Sequence, residues 1–286
     1  MTRVRFTPLR GLDAGTCCLL FLLAGASAVA PAGAVAGTDT MAVHRASFDS
    51  AGVRISYVEG GAGEPVVLVH GLYSSAEMNW IMPGTFDALA QHYHVVALDL
   101  RGHGQSDRPT DDSAYGHPMV EDVVRLLDHL KIERAHVVGY SLGGIIVMRL
   151  VVDHPDRVLS ATLGGMGWFR EGSFEQAIFE QMGGREFLRT PAACTHGIAK
   201  LAVSEAELKR VEVPIEILIG DRDPCRMMYV KPLQRVRPDW PVVTVSGAGH
   251  LNCIAKRQFK DEVVRWIGAN ANQAAQSARR TLGVAP

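Results

Sequence analysis

The stretch AHVVGYSLGGIIVMRLVVD, residues 135–153, changes character in mid-course. AHVVGY is a short apolar run of the kind buried on both faces of a parallel sheet. LGGIIVMRLVVD is apolar nearly all round, as in a helix enclosed by its neighbours. Between them Gly139-Tyr140-Ser141-Leu142-Gly143 makes a G-x-S-x-G turn from strand into helix. Small residues two before and two after the serine let the chain pass close to its neighbours, and such a turn holds the serine in a strained backbone with its hydroxyl presented. It also places Ser141 at a helix N-terminus, whose unpaired N–H groups and dipole favour developing negative charge. Ser141 is therefore the candidate nucleophile.

Working outward, further short apolar runs flank this one: PVVLVH (65–70), HVVALDL (94–100), VLSATLG (158–164), PIEILIG (214–220) and PVVTVSG (241–247). Upstream, HRASF and VRISYV are joined by the turn signal Asp49-Ser50-Ala51-Gly52 and read as a hairpin that opens the sheet. Helical spacing appears in 117–131 (Val120, Val123, Val124, Leu127) and in 256–269 (Phe259, Val263, Val264, Ile267). Strands alternating with helices predict a doubly wound, mostly parallel, eight-stranded α/β sheet with its active groups at the carboxyl ends of the strands. The interval 169–212 breaks the alternation. It carries short helical patterns at Phe174–Gln181 and Ser204–Arg210 but no strand, and is read as a short helical cap inserted over the strand ends. Residues 270–286, rich in Ala, Gln and Asn, are expected to be a frayed tail.

A serine hydroxyl needs a base to take its proton. Among eleven histidines, His250 in Gly247-Ala248-Gly249-His250-Leu251 follows the last strand and emerges at the same edge as Ser141. The imidazole in turn needs a carboxylate to fix its tautomer. Asp221 and Asp223, in Gly220-Asp221-Arg222-Asp223-Pro224, both follow the penultimate strand and compete for that role. Two backbone N–H groups are candidates for meeting a tetrahedral oxyanion: that of Leu142, next after the serine, and that of Leu72 in His70-Gly71-Leu72-Tyr73 after the strand PVVLV. His70 is read as a structural residue of that loop. Tyr73 and Trp168 are candidate substrate-binding residues. Trp168 is grouped with Met166, Phe169, Phe174 and Phe179 as a lining for an apolar acyl group, against the alternative that these side chains simply fill core.

In chain order, HG at 70–71, D-x-R-G-x-G-x-S at 99–106, G-x-S-x-G at 139–143, G-x-x-D at 220–223 and G-x-x-H at 247–250 together resemble the α/β-hydrolase superfamily, over about residues 44–268. The resemblance implies that Asp223, and not Asp221, is the acid partner of His250, and that the loop Asp99–Ser106 is structural. It implies hydrolysis of an ester, thioester, amide or activated carbon–carbon bond. A serine at the nucleophile position argues against haloalkane dehalogenases and epoxide hydrolases. The departure is the cap, shorter than many relatives carry, which speaks against a deep enclosed pocket.

Composition bounds the alternatives. With 286 residues, 47% hydrophobic and 21% charged, and 29 basic against 30 acidic side chains, the chain reads as one globular domain with no basic field for nucleic acid. Residues 1–36 read as an export signal: Arg3, Arg5 and Arg10, then the apolar and small run Cys17–Ala30, then small residues at 32, 34 and 36. A domain over 37–286, secreted or periplasmic, with no stable membrane insertion after cleavage, is the expectation, the alternative being an uncleaved anchor. Three cysteines remain beyond the leader, and a Cys225–Cys253 bridge stands beside the reading of three free thiols. No spacing suggests a metal, and no cofactor is expected. The leading function is cleavage of a small-molecule ester through an acyl-serine. A carbon–carbon bond hydrolase, a peptidase and an acyltransferase would use the same triad, and a non-catalytic binding protein would use only the pocket.

Overall fold

In a computed structural model the protein is described over residues 43–181 and 189–281, with side chains to residue 271. The export signal expected at 1–36 lies outside the described residues, as does the middle of the cap. Eight strands form one sheet: β1 (His44–Ser50), β2 (Val53–Gly60), β3 (Pro65–Val69), β4 (His94–Leu98), β5 (Ala135–Tyr140), β6 (Val158–Gly164), β7 (Ile215–Gly220) and β8 (Val242–Val245). Their spatial order is β1-β2-β4-β3-β5-β6-β7-β8. β1 and β2 form the antiparallel hairpin, β2 runs antiparallel to β4, and every later pairing is parallel. The described helices are α1 (Thr85–Ala90), α2 (His117–His129), α3 (Leu142–Asp153), α4 (Phe174–Gln181), α5 (Ala192–Ala199), α6 (Glu205–Arg210), α7 (Lys231–Val236) and α8 (Arg257–Thr281).

The two-residue period of the strands divides the core between the two faces of the sheet. Val67 and Val69 of β3, Val96 and Leu98 of β4 and Val137 of β5 bury on the side of α2 and α3. Val66, Leu68, Val95, Ala97 and Val138 bury on the side of α1 and α8. Helices on both faces explain why these strands are apolar throughout. α3 is enclosed along ten of its twelve residues, which is why it shows no polar face in sequence. Its Arg149 reaches outward to join Asp153 and Glu207, tying α6 of the cap to the core.

The order also fixes where function sits. From β3 the chain leaves toward β4, and from β5 it leaves toward β6 on the other side, although β3 and β5 are neighbours. A crevice must open beyond the carboxyl ends of two such strands. The loop after β3 and the Ser141 turn after β5 both border it.

The described cap comprises α4, α5 and α6, and a bridge between Arg170 and Val203 pairs the segment that enters it with the segment before α6. α5 has no counterpart in the sequence reading, because Ala192–Ala199 is small and apolar with no periodic face. The expected tail needs correcting. α8 runs on through 270–281 as one helix, since no glycine or proline interrupts the chain there and a packed first half has already met the cost of nucleation. Asn270, assigned to that tail, is buried and donates to the Trp266 carbonyl.

One buried acid belongs to the fold alone. Glu216 lies fully buried in β7, accepts from the Thr162 hydroxyl at 3.2 Å and faces Arg265 at 3.3 Å. Burial pushes its carboxyl up to about 8. The folded chain thus holds a proton there that the unfolded chain releases nearer the usual carboxylate range, so this contribution to stability is present at low pH and lost as pH rises toward 8. Urea denaturation at about pH 5 and about pH 8.5 should show Glu216→Gln gaining on the wild type at the higher pH. An unchanged difference between the two pH values would contradict this assignment.

Candidate active site

Ser141 has φ 53° and ψ −115°, a left-handed conformation that costs a non-glycine residue about 1–3 kcal/mol. Its neighbours hold it there. A Cβ on Gly143 would stand 2.0 Å from the Val69 carbonyl oxygen, and one on Gly139 would stand 2.2 Å from the Gly143 carbonyl oxygen. β3, β5 and the start of α3 are packed backbone to backbone, and the turn has no other room. The Ser141 N–H donates to the Gly164 carbonyl of β6 at 2.8 Å, which fastens the turn on its other flank.

His250 Nε2 lies 2.9 Å from Ser141 Oγ, and His250 Nδ1 lies 2.9 Å from Asp223 Oδ2. A carboxylate can only accept, so Nδ1 carries the hydrogen and Nε2 presents a lone pair to the serine hydroxyl. The Asp223 side chain is fully buried, and its other oxygen accepts the Cys225 N–H at 2.9 Å. Asp221 has a different part. Its two oxygens accept the N–H groups of Gly247 and Ala248, both at 2.9 Å, clipping the loop that carries His250 to the end of β7. Those two bonds hold its carboxyl below the usual range. Tyr140 donates from its hydroxyl to the His250 carbonyl, with the two rings 5.7 Å apart.

The loop after β3 presses on Ser141: a Cβ on Gly71 would lie 3.3 Å from Ser141 Cβ. Leu72 follows half-buried, and Tyr73 adopts φ 59°. His70, fully buried, donates through Nδ1 to the Gly71 carbonyl at 2.7 Å and accepts the Leu100 N–H at Nε2 at 3.0 Å. Burial lowers its pKa, so the neutral ring braces two loops. Asp99 accepts from the N–H groups of Ala76 and Gln105, tying the 99–106 loop to the same region. Leu142 is buried at the first position of α3, where helix geometry leaves its N–H without a partner four residues back.

One assignment changes, and two further observations concern the loops after β7 and β8. Trp168, read as substrate-binding, is buried and gives its indole N–H to the Val203 carbonyl at 2.8 Å, so it fastens the cap. No bridge joins Cys225 to Cys253. Sequence spacing suggests no metal ligands, yet the fold brings donor atoms of Asp223, Cys225 and His250 within 4.8 Å of one another. Two contributors were missed. Asn79, whose Oδ1 accepts the Gly71 N–H at 2.8 Å, carries no local signal. Tyr140 sits inside the G-x-S-x-G motif, and only the fold reveals its contact with His250.

Comparison with known proteins agrees with this architecture. Residues 64–185 match the family profile described as alpha/beta hydrolase fold. The dihydrolipoyllysine-residue acetyltransferase component of the acetoin cleaving system of Cupriavidus necator is 41% identical over 129 residues, 45% of this chain and 33% of that protein. The 2-hydroxymuconate semialdehyde hydrolase of Pseudomonas sp. (strain CF600) is 38% identical over 120 residues, 41% of each protein. These alignments span about a third to two-fifths of the curated relatives. Among solved structures, the meta-cleavage product hydrolase of Pseudomonas fluorescens IP01 superposes with a TM-score of 0.64 at 24% identity, covering 80% of this chain and 98% of that one. The chain has the α/β-hydrolase fold, and hydrolases are prominent among its relatives.

The packing at the turn is testable. Gly143→Ala should lower unfolding free energy by about 3 kcal/mol or more, because backbone must move to admit the methyl group. Gly249→Ala, where the nearest atom to the added carbon is 4.0 Å away, should stay within about 0.5 kcal/mol of the wild type. Equal effects in urea titration would show that close backbone approach does not hold the turn.

Proposed function

We propose that the protein is a serine hydrolase that cleaves carboxylic esters through an acyl-enzyme on Ser141. The observation that carries this reading is the continuous path from Asp223 through His250 to Ser141, 2.9 Å at each step. His250 Nε2 takes the hydroxyl proton as Ser141 Oγ attacks the ester carbon. Asp223 holds the Nδ1–H and stabilises the imidazolium that forms. The oxyanion is met by the N–H groups of Leu142 and Leu72, each such donor contributing about 2.7–4 kcal/mol in the transition state. His250 then returns its proton to the departing alkoxide. A water, deprotonated by the same Nε2, attacks the acyl carbon and frees Ser141.

Tyr73, next after Leu72 in the loop that follows β3, is the residue assigned to meet the substrate. A small-molecule ester fits the short cap, and the leader-like residues 1–36 support action outside the cytoplasm. A second reading, hydrolysis of an activated carbon–carbon bond, is favoured by the identity to 2-hydroxymuconate semialdehyde hydrolase over 120 residues. The same triad would serve it.

Intact-mass analysis after fluorophosphonate treatment should show one adduct, absent in Ser141→Ala. Folded protein that takes up no label would point to a non-catalytic binding protein. Asp223→Asn should lower kcat by about 10⁴-fold, as expected when the imidazole loses its fixed tautomer. Asp221→Asn should keep most of the activity, and the reverse result would move the acid role to Asp221. Turnover of p-nitrophenyl esters without arylamides supports the ester reading. Preference for vinylogous diketones over all esters would support the second.

A further inference from the structure

The loops after β7 and β8 gather more than an acid and a base. Cys225, two residues beyond Asp223, is buried and holds its sulfur in no disulfide. Its sulfur, an Asp223 oxygen and a His250 ring nitrogen lie within 4.8 Å of one another, all buried. We propose that these three side chains form an inhibitory site for a soft or borderline divalent ion, Zn²⁺ or Cd²⁺, which switches the hydrolase off.

The donor set is one sulfur, one imidazole nitrogen and one carboxylate oxygen, the set that zinc accepts with bonds of about 2.0–2.3 Å. Tetrahedral bonds of that length put ligand atoms about 3.4–3.6 Å apart, so the widest separation must contract by little more than 1 Å. The side chains are already held by packing. The Asp223 carboxylate keeps the Cys225 N–H on its other oxygen, which leaves the oxygen facing His250 to bind the ion. Solvent fills the fourth position.

Binding costs Cys225 its thiol proton, which leaves to solvent as the sulfur–metal bond forms. No electron changes hands. The hydrogen on His250 Nδ1 must also leave that atom, because the metal takes its lone pair, and it reappears on Nε2 in the other neutral tautomer. Nε2 then donates to Ser141 Oγ and has no lone pair for the serine proton. Loss of activity follows from the triad reading above, whereas ion binding does not depend on it. The other described thiols, Cys194 and Cys253, are buried and stand outside this cluster.

The test titrates CdCl₂ into the full-length, metal-free protein with Cys17 and Cys18 replaced by serine. It follows the ultraviolet thiolate-to-cadmium absorption and, in the same samples, fluorophosphonate labelling of Ser141. One Cd²⁺ per chain should raise the band as labelling is lost, and EDTA should reverse both. Cys225→Ser and Cys225→Ala should weaken Cd²⁺ binding by about tenfold or more, each judged against its own metal-free labelling, while Cys253→Ser leaves it within about twofold. Absence of the band in wild type, or its survival at full affinity in the Cys225 variants, overturns the site. If neither Cys225 variant folds, His250→Gln replaces them: a band weakened tenfold or more supports the site, and an unchanged one overturns it. A normal band in protein that never labels would sink the hydrolase reading alone. Normal labelling that Cd²⁺ leaves untouched would sink the inhibitory site alone.

Discussion

The close approach of three backbone segments at one point of the sheet governs this protein. Val69 at the end of β3, Gly139 in β5 and Gly143 in the first turn of α3 leave no room for a Cβ at either glycine. Ser141 is forced to a positive φ, and its hydroxyl is turned out of the helix toward the crevice between the two strand ends. The strain is sustained because α3 is among the most completely buried elements of the fold. Stability gained along the whole helix holds one unfavourable residue in place.

Around that fixed point the remaining groups are set by short-range clips. Asp221 pins the Gly247–Ala248 turn, Tyr140 anchors the His250 carbonyl, and the Cys225 N–H orients Asp223. His70 and Asn79 shape the loop after β3. The candidate site is thus carried by loops, but each loop is tied to a strand end or to another loop by at least one polar contact. Such ties let irregular segments hold a geometry to a fraction of an ångström.

Much of this was legible from residue order. The strands buried on both faces show as unbroken apolar runs, and α3 begins and ends at Leu142 and Asp153 as its pattern indicates. Ser141 and His250 could be named from their positions after strands, while the choice of Asp223 over Asp221 needed family resemblance, since both follow β7. What stayed hidden has a common physical origin. The Asn79–Gly71 bond, the fastening of Trp168 to Val203 and the nearness of Cys225 to His250 are tertiary contacts with no periodic signature. α5 escaped because small apolar residues show no face, and the length of α8 because a helix, once nucleated, extends through sequence that alone would not start one.

The most direct measurement is a crystal structure of the protein after reaction with an organophosphonate. Phosphorus should be bonded to Ser141 Oγ, with the phosphoryl oxygen about 2.7–3.1 Å from the N–H groups of Leu72 and Leu142 and His250 Nε2 turned toward a second oxygen of the adduct. An adduct on any other side chain, or a phosphoryl oxygen facing away from those two amides, would contradict the proposed function.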